Sequence, residues 1–138
     1  TYIDIEYECR TGMVQQLADR VRKTGSQTRL ILSYHNYELT PSVDILKDII
    51  ANGRRMGVEL IKIATQVQDR KDNIRLLQLL ETDENLVVIG MGEKGKLTRV
   101  SAPLLGSLFT FVSLESGKET AAGQLSQDQM SDLLRILK

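Results

Sequence analysis

Apolar and acidic residues alternate through Tyr2-Ile3-Asp4-Ile5-Glu6-Tyr7, the period-two signature of a strand with Ile3 and Ile5 on one face and Asp4 and Glu6 on the other. Both faces therefore need a neighbour. From Met13 to Lys23 the period lengthens, with Met13, Leu17 and Val21 at i, i+4 and i+8, and the helix this predicts stops at Gly25. Leu30 to His35 is an almost continuous apolar run that turns polar at its end, as in a buried parallel strand. Thr40-Pro41 is expected to open the next helix, Thr as cap and Pro at the first helical position. Ile45, Leu46, Ile49 and Ile50 form its buried stripe, and Gly53 and Gly57 mark its frayed end. The alternation continues with a strand over Val58 to Thr65, a helix over Asp72 to Leu80 and a strand over Leu86 to Ile89. A weaker helix over Leu97 to Leu105, a strand over Leu108 to Val112 and a helix opened by the Ser126-x-x-Gln129 capping box complete about five βα units.

Strands and helices in this order imply an α/β fold with a parallel sheet and right-handed crossovers, either doubly wound or part of a (β/α)8 TIM barrel. Asp4, Glu6, Ser33, His35 and Lys62 lie inside strands, not in the loops after them, which favours a shared polar barrel interior. A whole barrel takes about 250 residues. The 138 residues are therefore expected to form one domain, 1–138, that supplies only part of a barrel, with two open edges to be covered. Because the first strand begins at Tyr2 with nothing before it, further sequence upstream of Thr1 is expected, and a truncated or cleaved chain is the favoured reading.

Composition narrows the function classes. Eighteen basic residues balance eighteen acidic ones, with 41% hydrophobic and 26% charged residues, a globular composition with no basic stretch for a polyanion. Nucleic acid is thus not expected as a partner, and a small, specific ligand is. The lone Cys9 supports neither a disulfide framework nor a zinc site. No apolar run approaches the roughly 20 residues that span a bilayer, so no membrane partner is expected, and the cytoplasm is the expected location.

Within this frame a few residues can carry chemistry. Lys62 shares a strand face with Leu60 and Ala64. Buried without a carboxylate partner, it would be a neutral amine able to attack a ketone and form a Schiff base; an isolated strand lysine more often reaches solvent or pairs with Asp or Glu. His35, the only histidine, lies at the C-terminal end of its strand, where barrel enzymes work. It could move protons in both directions, or be no more than a satisfied rim residue. Arg99 could offer a fork to a carboxylate or be a surface charge. Thr120 to Gln124 brings a hydroxyl and an amide close to the start of the last helix, or is a plain approach to its cap. Gly92-x-x-Gly95 is too weak a signal for a nucleotide loop.

Asp4-Ile5-Glu6, Ser33-Tyr34-His35-Asn36, Ile61-Lys62-Ile63-Ala64, Gly95-Lys96-Leu97-Thr98-Arg99 and Ala122-Gly123-Gln124, in this order and spacing, resemble type I 3-dehydroquinate dehydratase from Tyr2 to the end of the chain. The resemblance implies a barrel enzyme of the shikimate pathway. It converts 3-dehydroquinate to 3-dehydroshikimate by syn elimination through a covalent imine, with no metal or cofactor. By resemblance Lys62 forms the imine, and His35 assists its formation and hydrolysis and moves the proton toward the departing hydroxyl. Arg99 would hold the carboxylate, Thr120 (where the family commonly has Ser) and Gln124 would bind ring hydroxyls or carboxylate, and Met91 would floor the pocket. Ile89 and Ala122 depart from the family's usual Met and Pro. The family's first three βα units have no counterpart in these 138 residues. They carry an acidic residue that orients the histidine and further Glu and Arg contacts, which makes activity of this chain alone doubtful. Association with that missing part, or a homo-oligomer such as a dimer, is expected. The alternatives are a non-catalytic half-barrel assembling through its strand edges and another Schiff-base barrel such as a class I aldolase.

Overall fold

The βα alternation is realised in four parallel strands, in the spatial order of the chain. The computed structural model describes residues 1–25 and 27–137. The elements are β1 (Tyr2–Glu6), α1 (Thr11–Lys23), β2 (Arg29–Asn36), α2 (Val43–Arg55), β3 (Leu60–Gln66), α3 (Arg70–Thr82), β4 (Leu86–Met91), a 3-10 turn (Glu93–Gly95), α4 (Lys96–Leu104) and α5 (Gln127–Leu137).

The two faces of the sheet have different neighbours, and this decides between the two architectures left open by the sequence. Leu30, Leu32, Ile61, Ile63, Leu86 and Val88 point to one side, where they pack with Val14 and Ala18 of α1, Leu46, Ile49 and Ile50 of α2, Leu76 and Leu79 of α3, and Ala102 of α4. The opposite face carries a smaller cluster of Ile31, Leu60, Ala64, Val87 and Ile89, against which, among the described residues, the partly buried hydrophobic side chains of Met91 and Phe109 pack. Helices on one face alone are the arrangement of a barrel wall, not of a doubly wound sheet. The polar strand residues share the second face, the inside of the wall.

Two expectations about helix starts are corrected. Helix α2 begins at Val43 and its cap is Ser42, whose side chain accepts from the Ile45 N–H at 3.4 Å. Thr40 is diverted from capping. Its buried hydroxyl lies 2.8 Å from Thr65 Oγ1 and donates to the Gln66 carbonyl at 2.9 Å, tying the loop to the end of β3. Helix α3 starts before Asp72, because Asp69 accepts from the Lys71 and Asp72 N–H groups at 2.7 and 3.3 Å while Asp72 accepts from the Asp69 N–H at 3.3 Å. That reciprocal pair is a capping box with Asp in the place of Ser or Thr. The Ser126–Gln129 box forms as expected, with reciprocal bonds of 3.2 and 3.0 Å.

The strand expected over Leu108 to Val112 is absent from the described sheet. The Leu108 N–H donates to the Leu86 carbonyl at 2.9 Å, but the Val88 N–H donates to Ser107 Oγ at 3.1 Å. A side chain thus takes the place a strand carbonyl would fill, and the ladder ends after one bond. Phe109 and Phe111 instead stack edge to face, 5.6 Å apart, and Phe109 also meets Tyr2 of β1 at 5.9 Å. A lone parallel bridge between Ser113 and Ser126 leads into α5.

Candidate functional site

Strand alternation and register together assemble the site. On the inner face β1 presents Asp4 and Glu6, β2 presents Ser33 and His35, and β3 presents Lys62. The register sets Glu6 against Ser33 and Ser33 against Lys62, with His35 against Ala64. Lys62 Nζ donates to Asp4 Oδ2 at 3.2 Å, and the Ser33 hydroxyl donates to the other oxygen of the same carboxylate in a short bond. Nζ also lies 5.3 Å from the centroid of the Phe111 ring. One layer along, His35 Nδ1 is 2.8 Å from Glu6 Oε2, and the imidazole stacks on Tyr37 with centroids 5.8 Å apart and ring planes 7° from parallel. Lys62 is 8% exposed and Ser33 fully buried.

Lys62 differs from the expectation of a neutral, unpartnered amine. Lys62 is buried, but with a carboxylate partner: Asp4, which alternation placed on this face without saying what it would meet, is its counter-ion. His35 also has an acidic partner within the chain, Glu6, beside the one expected from units outside it. What joins these residues is strand register, which no local motif states. Ser33, Tyr37 and Phe111 were likewise not identified by their chemistry.

Arg99 is not a surface charge. It sits on α4 at 2% exposure, and its Nε has no hydrogen-bond partner. Burial lowers its pKa from the ordinary value, yet a guanidinium is so basic that it stays charged at neutral pH. Such a group can receive an anion with two oxygens. Thr120 and Gln124 are brought together, Gln124 Oε1 accepting from the Thr120 N–H at 2.9 Å and from its hydroxyl at 3.1 Å. They line a cavity of about 510 Å³ with Glu93, Lys96, Glu119 and Gln129, and Lys62, His35 and Arg99 are not among its lining residues. Met91 continues the inner face of β4 beside Ile89.

The loop bearing Thr120 and Gln124 is held to the end of β4 by its backbone. The Gly92 N–H donates to the Ala122 carbonyl at 3.2 Å. Gly123, at φ +77°, packs directly on the Gly92 carbonyl, where any Cβ would collide. On the rim of the cavity the hydrogen bond and charge of Lys96 hold the Glu93 carboxyl below the usual range. The Gly117 N–H, donating at 2.9 Å, does the same for Glu119. Among the described residues no three of His, Cys, Asp and Glu gather as metal ligands, and no helix is long and apolar enough to cross a membrane.

The model of the type I 3-dehydroquinase family matches residues 1–138, the whole of the chain. The chain belongs to the type I 3-dehydroquinase family. Among its relatives, a 3-dehydroquinate dehydratase of Pyrococcus abyssi is 34% identical over 136 residues, which are 99% of this chain and 60% of the relative. One from Methanothermobacter thermautotrophicus is 44% identical over 127 residues, covering 92% of this chain and 53% of that protein. The crystal structure of the 3-dehydroquinate dehydratase from Aquifex aeolicus VF5 superposes with a TM-score of 0.84 at 34% identity, covering 98% of this chain and 59% of that one. The chain therefore spans little more than half the length of these relatives, and its four-stranded wall is a partial (β/α)8 barrel.

Proposed function

We propose that residues 1–138 act as one domain, the C-terminal part of a 3-dehydroquinate dehydratase barrel, and that Lys62 and His35 are its catalytic pair. The observation that carries this reading is the shared inner face: a buried amine and a histidine held by a carboxylate, on adjacent strands and two residues apart in register. Lys62 Nζ gives up one ammonium proton to the His35 imidazole and, as the free amine, adds to the ketone carbon of 3-dehydroquinate. The resulting carbinolamine takes up a proton from His35 and loses its oxygen as water, leaving a protonated imine. That imine draws electrons from the adjacent carbon, whose proton passes to the imidazole. The electron pair left behind expels the β-hydroxyl, which departs as water with the proton carried by His35. Water then hydrolyses the imine, freeing 3-dehydroshikimate and the amine. Glu6 holds the ring in place throughout.

Arg99 suits the substrate carboxylate, because it is a buried cation with an unpaired Nε. Thr120 and Gln124 suit the hydroxyls, and their mutual hydrogen bonds are exchanged for ones to substrate. Barrel closure needs further βα units beside β1, where Tyr2 and Ile3 are exposed. These come from the same polypeptide or from an associated chain, and the test uses the protein in that complete form. Incubated with 3-dehydroquinate, it should develop the absorbance of a conjugated enone, and His35→Ala and Lys62→Ala should abolish the rise. A folded, complete protein that produces none of this absorbance would favour a non-catalytic half-barrel.

A further inference from the structure

We infer that Asp4, held by Ser33, is a positioning residue for the reaction: it is the fixed counter-ion of the Lys62 nitrogen and keeps the imine protonated while the elimination occurs. The inference rests on the imine chemistry proposed above and adds a role for two residues that chemistry does not use.

The geometry is that of a clamp. The two oxygens of one carboxylate are divided between two donors, Oδ1 receiving the Ser33 hydroxyl and Oδ2 receiving Lys62 Nζ at 3.2 Å. Ser33 is fully buried and lies directly between β1 and β3 in the register, so its hydroxyl fixes the plane of the carboxylate. The Phe111 ring, centred 5.3 Å from the nitrogen, turns a π-face toward positive charge. Asp4 lies on β1 and Phe111 in the segment between α4 and α5, and both favour a cation at the same atom.

The nitrogen is cationic twice along the proposed path. It carries one positive charge as the ammonium. When the free amine adds to a ketone and the carbinolamine takes up one proton and releases water, the nitrogen keeps one N–H and again carries one positive charge. That single N–H has an acceptor already in place at Oδ2. A carboxylate there stabilises the iminium over the neutral imine. The iminium is the form that withdraws electrons from the neighbouring carbon. The bond also fixes rotation about Cε–Nζ, setting the imine plane relative to His35 on the next layer. Glu6, the other carboxylate on β1, is engaged with His35.

The test compares the complete wild-type protein with Asp4→Asn, Asp4→Glu and Ser33→Ala, with near-UV circular dichroism as the check of folding. For Asp4→Asn, kcat should fall about ten- to a hundredfold, the range for losing a charged hydrogen-bond partner, while KM stays within about threefold because substrate binding groups are untouched. Trapping of the adduct on Lys62 by cyanoborohydride, which reduces iminium ions far faster than neutral imines, should slow in parallel. The C=N stretch of the adduct, which shifts in D2O only when the nitrogen is protonated, should lose that shift. Asp4→Glu should recover part of kcat, and Ser33→Ala should lose less than Asp4→Asn. A folded Asp4→Asn protein with wild-type kcat and wild-type trapping would overturn the clamp while leaving the imine standing. Should Asp4→Asn not fold, unchanged kcat and trapping in Ser33→Ala would overturn it. A wild type that forms no adduct at all would overturn the imine reading, and the clamp with it.

Discussion

His35 lies one alternate position beyond the residue that faces Lys62: Ser33 pairs with Lys62, and His35 pairs with Ala64. Two residues of parallel strand rise about 6.6 Å, so the imidazole and the amine occupy successive layers on one face. A one-residue slip of β2 would turn His35 toward the helices and bring Tyr34 inward. The relationship is thus secured by the whole helix-side core, since Leu30 and Leu32 are buried only in this register.

Removing the imidazole should separate proton transfer from imine formation. His35→Ala is expected to lower turnover by about 10²- to 10⁴-fold, the usual contribution of a general acid–base. Glu6→Gln, which keeps the shape of the partner but not its charge, should cost less. Steady-state kinetics of the two variants checks the order, and Glu6→Gln falling below His35→Ala would contradict it.

The proposed carboxylate-binding role of Arg99 can be separated from a structural one. Its buried guanidinium has an unpaired Nε, and a buried charge without full pairing weakens the fold. Arg99→Met should therefore leave the thermal midpoint unchanged or raised, while KM rises about tenfold or more through loss of a charged hydrogen bond to the carboxylate. Calorimetry and kinetics on the same sample decide, and a lower midpoint with unchanged KM would show a structural role.

Gly123 tests how the loop of Thr120 and Gln124 is held. Its φ of +77° and its contact with the Gly92 carbonyl leave no room for a side chain. Gly123→Ala should destabilise by about 1–3 kcal/mol and raise KM by releasing Thr120 and Gln124. Urea denaturation with wild-type stability would mean that the loop relocates without strain.

The fold itself should respond in proportion to burial and capping. Leu46, fully buried between α2 and the sheet, should cost about 2–5 kcal/mol as Leu46→Ala. Asp69→Ala, which opens the capping box of α3, should cost about 1 kcal/mol. Denaturant midpoints with an unchanged slope measure both, and equal losses would contradict the packing described.

Four strands, their parallel order and the helices between them were legible in the sequence, because residues such as Leu30 to Leu32 and Ile61 to Ile63 have no other way to be buried. The fifth strand was not. Leu108 to Val112 has strand composition, but Ser107 intercepts the ladder at Val88, and a hydroxyl competing for one N–H leaves no periodic trace. Thr40 misled for a similar reason: a good capping residue found a better partner in Thr65, distant in sequence. At the site, His35 and Lys62 stood out as candidates by their strand positions, and the family resemblance gave them roles. Their carboxylates could not be assigned, since pairing of Asp4 with Lys62 and Glu6 with His35 depends on register across strands.

The most direct measurement is borohydride reduction of the complete protein in the presence of 3-dehydroquinate, followed by peptide mass mapping. The expected result is a substrate-derived mass increment on the peptide containing Lys62, absent in Lys62→Met. An unmodified Lys62 in a folded protein, or an increment on a different lysine, would contradict a shared site built on Lys62 and His35.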